Sequence, residues 1–173
     1  MTPFRRRQLL GLAGALPAVL LVVLTLEHAG SLFAFVAVPA DESSGRLAFA
    51  LRWMLLPGIC LLLGVVVAAR RGFVAQAIDG TRTPASHSLE INLRYNQNTL
   101  EQTVLACIAW AGLAMSLPIA QLVVIPAMAT LFAIGRGAFW IGYLIDPMGR
   151  AFGMALTALP TVVSYAWLAW HAW

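Results

Sequence analysis

Residues 90–116 read EINLRYNQNTLEQTVLACIAWAGLAMS, and this stretch decides the fold. Its first half is polar and its second half apolar, yet no Pro or Gly separates the two, so one continuous helix entering a membrane is predicted. At about 100° per residue, Glu90, Arg94, Gln97, Asn98 and Glu101 share a stripe about 100° wide. Hydrocarbon satisfies no polar group, so such a stripe must face protein or a cavity. Asn92 and Asn96 fall on the opposite side of the same helix. One chain cannot turn both faces to one site, which predicts that two copies of this helix lie side by side in an oligomer.

Outward from this helix, residues 8–26, 53–69, 102–135 and 151–173 carry no charge. A bilayer core of about 30 Å takes roughly 20 apolar residues as a helix, so each run is a candidate span. The third run is long enough to hold a turn. Pro118 lacks an amide hydrogen and suits a first helical turn, so one helix should end near Leu117 and the next begin near Pro118. Five helices follow, over 8–27, 46–70, 87–117, 119–145 and 150–172. Pro17, Pro57, Pro126 and Pro160 fall inside them, which membrane helices tolerate when neighbours re-satisfy the freed carbonyls. The fold class predicted is an all-α integral-membrane helical bundle.

Composition agrees. Of 173 residues, 61% are hydrophobic and 10% charged, and the mean hydropathy is +0.83. A soluble domain carries about 25% charged residues, so a water-filled cleft in a cytosolic enzyme is excluded. The net charge of +4 comes from eleven basic residues, every one an Arg, scattered rather than clustered. Nucleic-acid binding needs a clustered basic footprint and is not expected. Cys60 and Cys107 sit mid-run in apolar sequence, where a thiol acts as a small hydrophobe, so neither a disulfide nor a metal site is expected. His28, His87 and His171 are too scattered to ligate a metal together.

Arg5, Arg6 and Arg7 precede the first span, and Arg70, Arg71 and Arg82 follow the second. The loop between the spans carries Glu27, Asp41 and Glu42 with no base before Arg46. The positive-inside rule then places the amino terminus and the 70–88 loop in the cytoplasm. A competing reading treats residues 1–40 as a cleaved signal, with Arg5 to Arg7 leading and Val38-Pro39-Ala40 at the cleavage site. Against it, the apolar run lies far from Ala40, and 29–40 suits an interfacial segment. Arg46 and Arg52 are read as snorkelling to headgroups, and Trp167, Trp170, His171 and Trp173 as an interfacial belt.

A second polar set follows in the fourth span. Arg136 and Tyr143 are two turns apart on one face, and Asp146, Pro147, Gly149 and Arg150 follow a break. Ionisable groups inside a membrane are costly and are functional candidates by default. One reading pairs Glu90 with Arg94 as an i,i+4 bridge that only holds structure. The other notes that Arg70, Arg94, Arg136 and Arg150 outnumber Glu90 and Glu101, so that an anionic ligand would balance the surplus.

Three separated motifs together resemble the MAPEG family, the membrane-associated proteins of eicosanoid and glutathione metabolism, in a bacterial-type member. Ala69-Arg70-Arg71-Gly72-Phe73 is similar to the A-R-R-x-F that closes the family's first helix. Glu90, Arg94, Asn98 and Glu101 match the spacing of its E-x-x-x-R-x-x-x-N-x-x-E. Arg136, Tyr143 and Arg150 resemble its R-x6-Y-x6-R. The resemblance covers 46–173, a four-helix membrane domain. Residues 1–45 would be an added amino-terminal transmembrane helix and outer loop.

What the resemblance implies is a homotrimer in the lipid bilayer, in a bacterial inner membrane, binding glutathione between subunits as co-substrate. Arg94, Asn98, Glu101, Arg136 and Tyr143 would hold glutathione in one subunit, with Arg70 and Asn96 reaching in from its neighbour. Arg150 would be catalytic, stabilising the thiolate that attacks a lipophilic electrophile. The expected activity is a glutathione-dependent transferase or peroxidase. Gln102 and Phe139 stand where the family's eicosanoid synthases carry Tyr, and Asn96-Gln97-Asn98 is the form of a non-catalytic member. A lipid-binding scaffold of the same fold is therefore the alternative.

Overall fold

The computed structural model describes residues 2–75, 77–79 and 86–171; Arg82 and Trp173 lie outside them. Among these residues five long helices form, α1 (Pro3–Glu27), α3 (Ser43–Ala69), α4 (His87–Ser116), α5 (Val124–Ile145) and α6 (Ala151–His171), with one short helix, α2 (Ala29–Leu32). The protein is a multi-pass, all-helical membrane bundle. The stretches containing α3, α5 and α6 are long and apolar enough to cross a bilayer by themselves. α4 is not, because only its second half is apolar. Residues 103–116 rise about 21 Å at 1.5 Å per residue, short of a core of about 30 Å, so its polar half must sit against protein.

Local chemistry sets the helix ends. α1 starts at Pro3, five residues earlier than 8–27 predicts, because Thr2 caps it, its hydroxyl accepting the Arg5 amide at 3.3 Å. Pro at the first helical position loses no bond there. Ser86 caps α4 in the same way, accepting the Leu89 amide at 3.3 Å. α4 and α5 both stop at a residue that precedes Pro: Leu117 and Asp146 are extended, with ψ of 150° and 141°. The proline ring denies that preceding residue the helical region.

The expected span 119–145 is found as the apolar stretch Ile119–Ile145, with one refinement at its start. Pro118 is itself extended, with ψ of 143°, and a 3₁₀ turn over Ile119–Gln121 follows before α5 begins at Val124. The snorkelling role of Arg46 needs correction. Its guanidinium donates to the carbonyls of Ala114 and Leu117 at 3.0 and 2.7 Å and pairs with Asp41. Those carbonyls are orphaned at the end of α4, and the half-buried Arg46 guanidinium satisfies them there. Arg52 is exposed.

The core lies among α3, α4 and α5, where Trp110 meets Phe132 edge to face at 6.2 Å. Phe49, Leu113, Leu122 and Ile125 fill around them. α1 packs chiefly on α6, with Ala18 and Val22 against Leu131 and Leu156. α5 and α6 come into backbone contact. A Cβ on Gly153 would overlap backbone atoms of Gly135 and Phe139, and one on Gly142 would overlap Gly149. Small residues are what permit such an approach between membrane helices. It brings Tyr143, in the last turn of α5, beside Arg150, just ahead of α6.

Candidate functional site

The polar stripe of α4 faces the α5–α6 turn across a cavity of about 320 Å³ lined by Arg94, Gln97, Asn98, Glu101, Phe139, Tyr143, Arg150 and Met154. Five of the residues singled out from sequence thus line one cavity: Arg94, Asn98, Glu101, Tyr143 and Arg150. Roomier hollows exist elsewhere, at the far end of the bundle and beside α1, but their linings are mostly apolar or uncharged. Charge, not volume, picks out this one.

Arg150 lies over the ring of Tyr143 at 4.6 Å, a cation–π contact that holds the guanidinium at the mouth of α6. Its own carbonyl accepts the Met154 amide at 2.9 Å, so the residue sits at the positive end of the α6 dipole. Tyr143 is in turn braced edge to face by Phe139 at 5.8 Å. Gln97 donates to Glu101 at 2.8 Å and steadies that carboxylate, leaving its second oxygen for a ligand. Glu90 does not pair with Arg94. Among the described residues neither Arg94 nor Arg150 has a carboxylate partner.

Arg136 lies behind the wall rather than in it. It is fully buried and donates to Asn98 Oδ1 at 2.7 Å and Thr157 Oγ1 at 2.6 Å, with the Phe139 ring at 4.6 Å from its guanidinium carbon. Thr157 passes its own hydrogen to the Gly153 carbonyl at 2.5 Å. A guanidinium only donates, so it fixes the Asn98 amide with oxygen inward and leaves the NH₂ as the free group of that side chain.

Two predicted residues stand apart. Arg70, exposed past the end of α3, donates to Ser88 Oγ at 3.1 Å. Asn96 lies on the other side of α4, against Gly64 of α3, with its Oδ1 buried and unpartnered. Neither lines the cavity of its own chain. Three lining residues were not picked from sequence as site residues: Gln97, Phe139 and Met154. Gln97 lies in the stripe and Met154 one turn after Arg150, so helical spacing alone pointed to both.

The family model that matches this chain covers residues 47–170 and is that of the MAPEG family. The chain belongs to the MAPEG family. The matched span holds α4, α5 and every residue that lines the cavity, while α1 and α2 precede it. Among curated proteins, the chain is similar to transmembrane protein 79 of Mus musculus, at 26% identity over 162 residues. The protein of the same name from Bos taurus matches at 26% over the same length. These alignments cover 94% of this chain and 41% of the relatives, so the MAPEG chain spans less than half their length. No solved structure matches.

Chemically, this MAPEG cavity offers two guanidiniums without a carboxylate partner among the described residues, an amide donor and one carboxylate. It suits a ligand with more than one anionic group and one cationic group. Among the described residues no group of three His, Cys, Asp or Glu is placed to hold a metal. Cys60 and Cys107 are free and do not line the cavity, so any thiol acting there arrives with the ligand.

Proposed function

We propose that the protein is a glutathione-dependent membrane transferase or peroxidase. Membership of the MAPEG family supports a membrane role in glutathione or lipid metabolism. The observation that carries the finer reading is the charge pattern of the cavity: Arg94 and Arg150 without carboxylate partners, beside Glu101. Glutathione brings two carboxylates, one ammonium and a thiol. Arg94 takes a carboxylate through its planar fork, Glu101 takes the ammonium, and the Asn98 NH₂ donates to the peptide.

Arg150 acts on the thiol. A cation and a helix amino terminus beside a thiol both favour the thiolate, the nucleophilic form. The thiol proton leaves to water. The sulfur then forms a bond to an electrophilic carbon as the leaving-group bond breaks, and Arg150 stays in place as the fixed positive charge.

In this reading the working unit is a homotrimer. A cavity of about 320 Å³ is at the low end for small-molecule sites, which supports completion by a second chain. Arg70 and Asn96, both turned away from the cavity of their own chain, are the residues that a neighbouring copy would contribute. The domain reading is a MAPEG core over 46–173 with residues 1–45 as an addition. The amino terminus and the cavity face the cytoplasm.

Conjugation of glutathione to an aryl halide by the purified protein tests this. The expected result is turnover that Arg150→Ala lowers about a hundredfold, as loss of one preorganised charge does. Glutathione binding with no product from the wild-type protein contradicts the enzymatic reading and leaves the lipid-binding scaffold.

A further inference from the structure

A groove of about 980 Å³ runs between α6 and α1, and its α1 wall lies outside the span matched to the family. Small side chains make it: Ala15 on one helix faces Ala151, Ala155 and Ala158 on the other, where longer chains would have filled the space. Deeper along the pair, Ala18 and Val22 close against Leu131 and Leu156, so the groove is open only in the half nearer the amino terminus.

Its length has a physical meaning. From Leu9 to Val19 is ten residues, about 15 Å of helix rise. A bilayer core of about 30 Å has leaflets of about 15 Å each, so the apolar walls run the depth of one leaflet. Arg5 lines the groove one turn before Leu9, at the end of this leaflet-deep apolar wall. Among the described residues no carboxylate pairs with it.

We propose that this groove holds one acyl chain of an anionic lipid, its head on Arg5 and its chain running past Met154. An unpaired cation at the headgroup end and an apolar wall of leaflet depth together match that one chemistry. Met154 lines both this groove and the polar cavity, and its Sδ lies 3.9 Å from Arg136. The bound chain is therefore separated from the polar site by a single flexible side chain. The lipid site stands whether or not glutathione is the ligand of that cavity.

The test is photolabelling of the full chain in phosphatidylcholine vesicles with a palmitate that carries a diazirine midway along its chain. The expected result is saturable label on α1 and α6 at the groove, competed by palmitate, while label on the outward face of α3 rises linearly with probe. Ala155→Phe, which fills the groove, lowers the groove label at least fivefold. Arg5→Gln, an exposed change that leaves packing intact, raises the half-saturating concentration about threefold to fivefold, in the range of an exposed ion pair. The matching fatty alcohol probe shows no such response to Arg5→Gln. Linear labelling of groove and α3 alike, or saturable labelling indifferent to both variants, overturns the proposal.

Discussion

Arg136 donates to the Oδ1 of Asn98 at 2.7 Å, and this bond decides what Asn98 shows to the cavity. A buried cation without a carboxylate is held by Asn98, Thr157 and the faces of Phe132 and Phe139. Such a charge is strongly destabilising when its partners are lost.

Asn98→Ala removes one of those partners. The expected outcome is a loss of about 1.5–3 kcal/mol of stability, typical of a hydrogen bond to a charged group, together with weaker ligand binding. Thr157→Val leaves Arg136 short of an acceptor on the other side and is expected to lower Tm by a similar amount. Thermal unfolding in detergent, followed by tryptophan fluorescence, checks both.

Gly153→Ala places a methyl against the backbone of Gly135 and Phe139, atoms that have no rotamer by which to retreat. α5 and α6 must separate, at a cost of about 1–3 kcal/mol. Because Tyr143 and Arg150 are placed by that contact, activity is expected to fall more than stability alone explains. Gly137→Ala is the control, since a Cβ there meets nothing within 4 Å. Comparing specific activity with Tm for the two variants separates the effects.

Arg46→Met uncaps the end of α4 by removing the donors to Ala114 and Leu117. A loss of about 1–3 kcal/mol is expected from two carbonyls left unsatisfied. Arg46 is at the opposite end of α4 from the cavity, so glutathione affinity in the folded fraction should not change. A calorimetric titration on the folded variant checks this.

Glu101→Gln keeps the shape of the cavity wall and removes its carboxylate charge. The expected result is about a tenfold to hundredfold rise in Kd for glutathione, the worth of a charge-assisted bond. A glutathione analogue lacking the amino group should bind wild type and variant alike. Equal losses for both ligands would show that Glu101 does not meet an ammonium.

Much of this was legible from residue spacing. The α4 stripe is a matter of angle along one helix, and the structure places Arg94, Gln97, Asn98 and Glu101 together as the angles require. Depth was less legible. Spacing puts Arg136 on the face of Tyr143, but whether it lines the cavity or lies behind it depends on how closely α6 approaches, which Gly135 and Gly153 set. Contacts distant in sequence were the least legible. Arg46 meets carbonyls 68 and 71 residues away, and nothing in its own surroundings distinguishes that from a headgroup contact. The form of the first turn after Pro118 was not legible: Pro118 itself is spent on the extended link out of α4, and the stretch opens as a 3₁₀ turn at Ile119.

The role proposed for Arg150, over Tyr143 at the start of α6, is to lower the cost of a thiolate in the cavity. Its most direct test is the ultraviolet difference spectrum of the purified protein titrated with glutathione at neutral pH, beside Arg150→Ala. A saturable thiolate band is expected in the wild-type protein and is absent from the variant, although glutathione still binds it. A folded wild-type protein that binds glutathione with no thiolate band, or a variant whose band is undiminished, would contradict it.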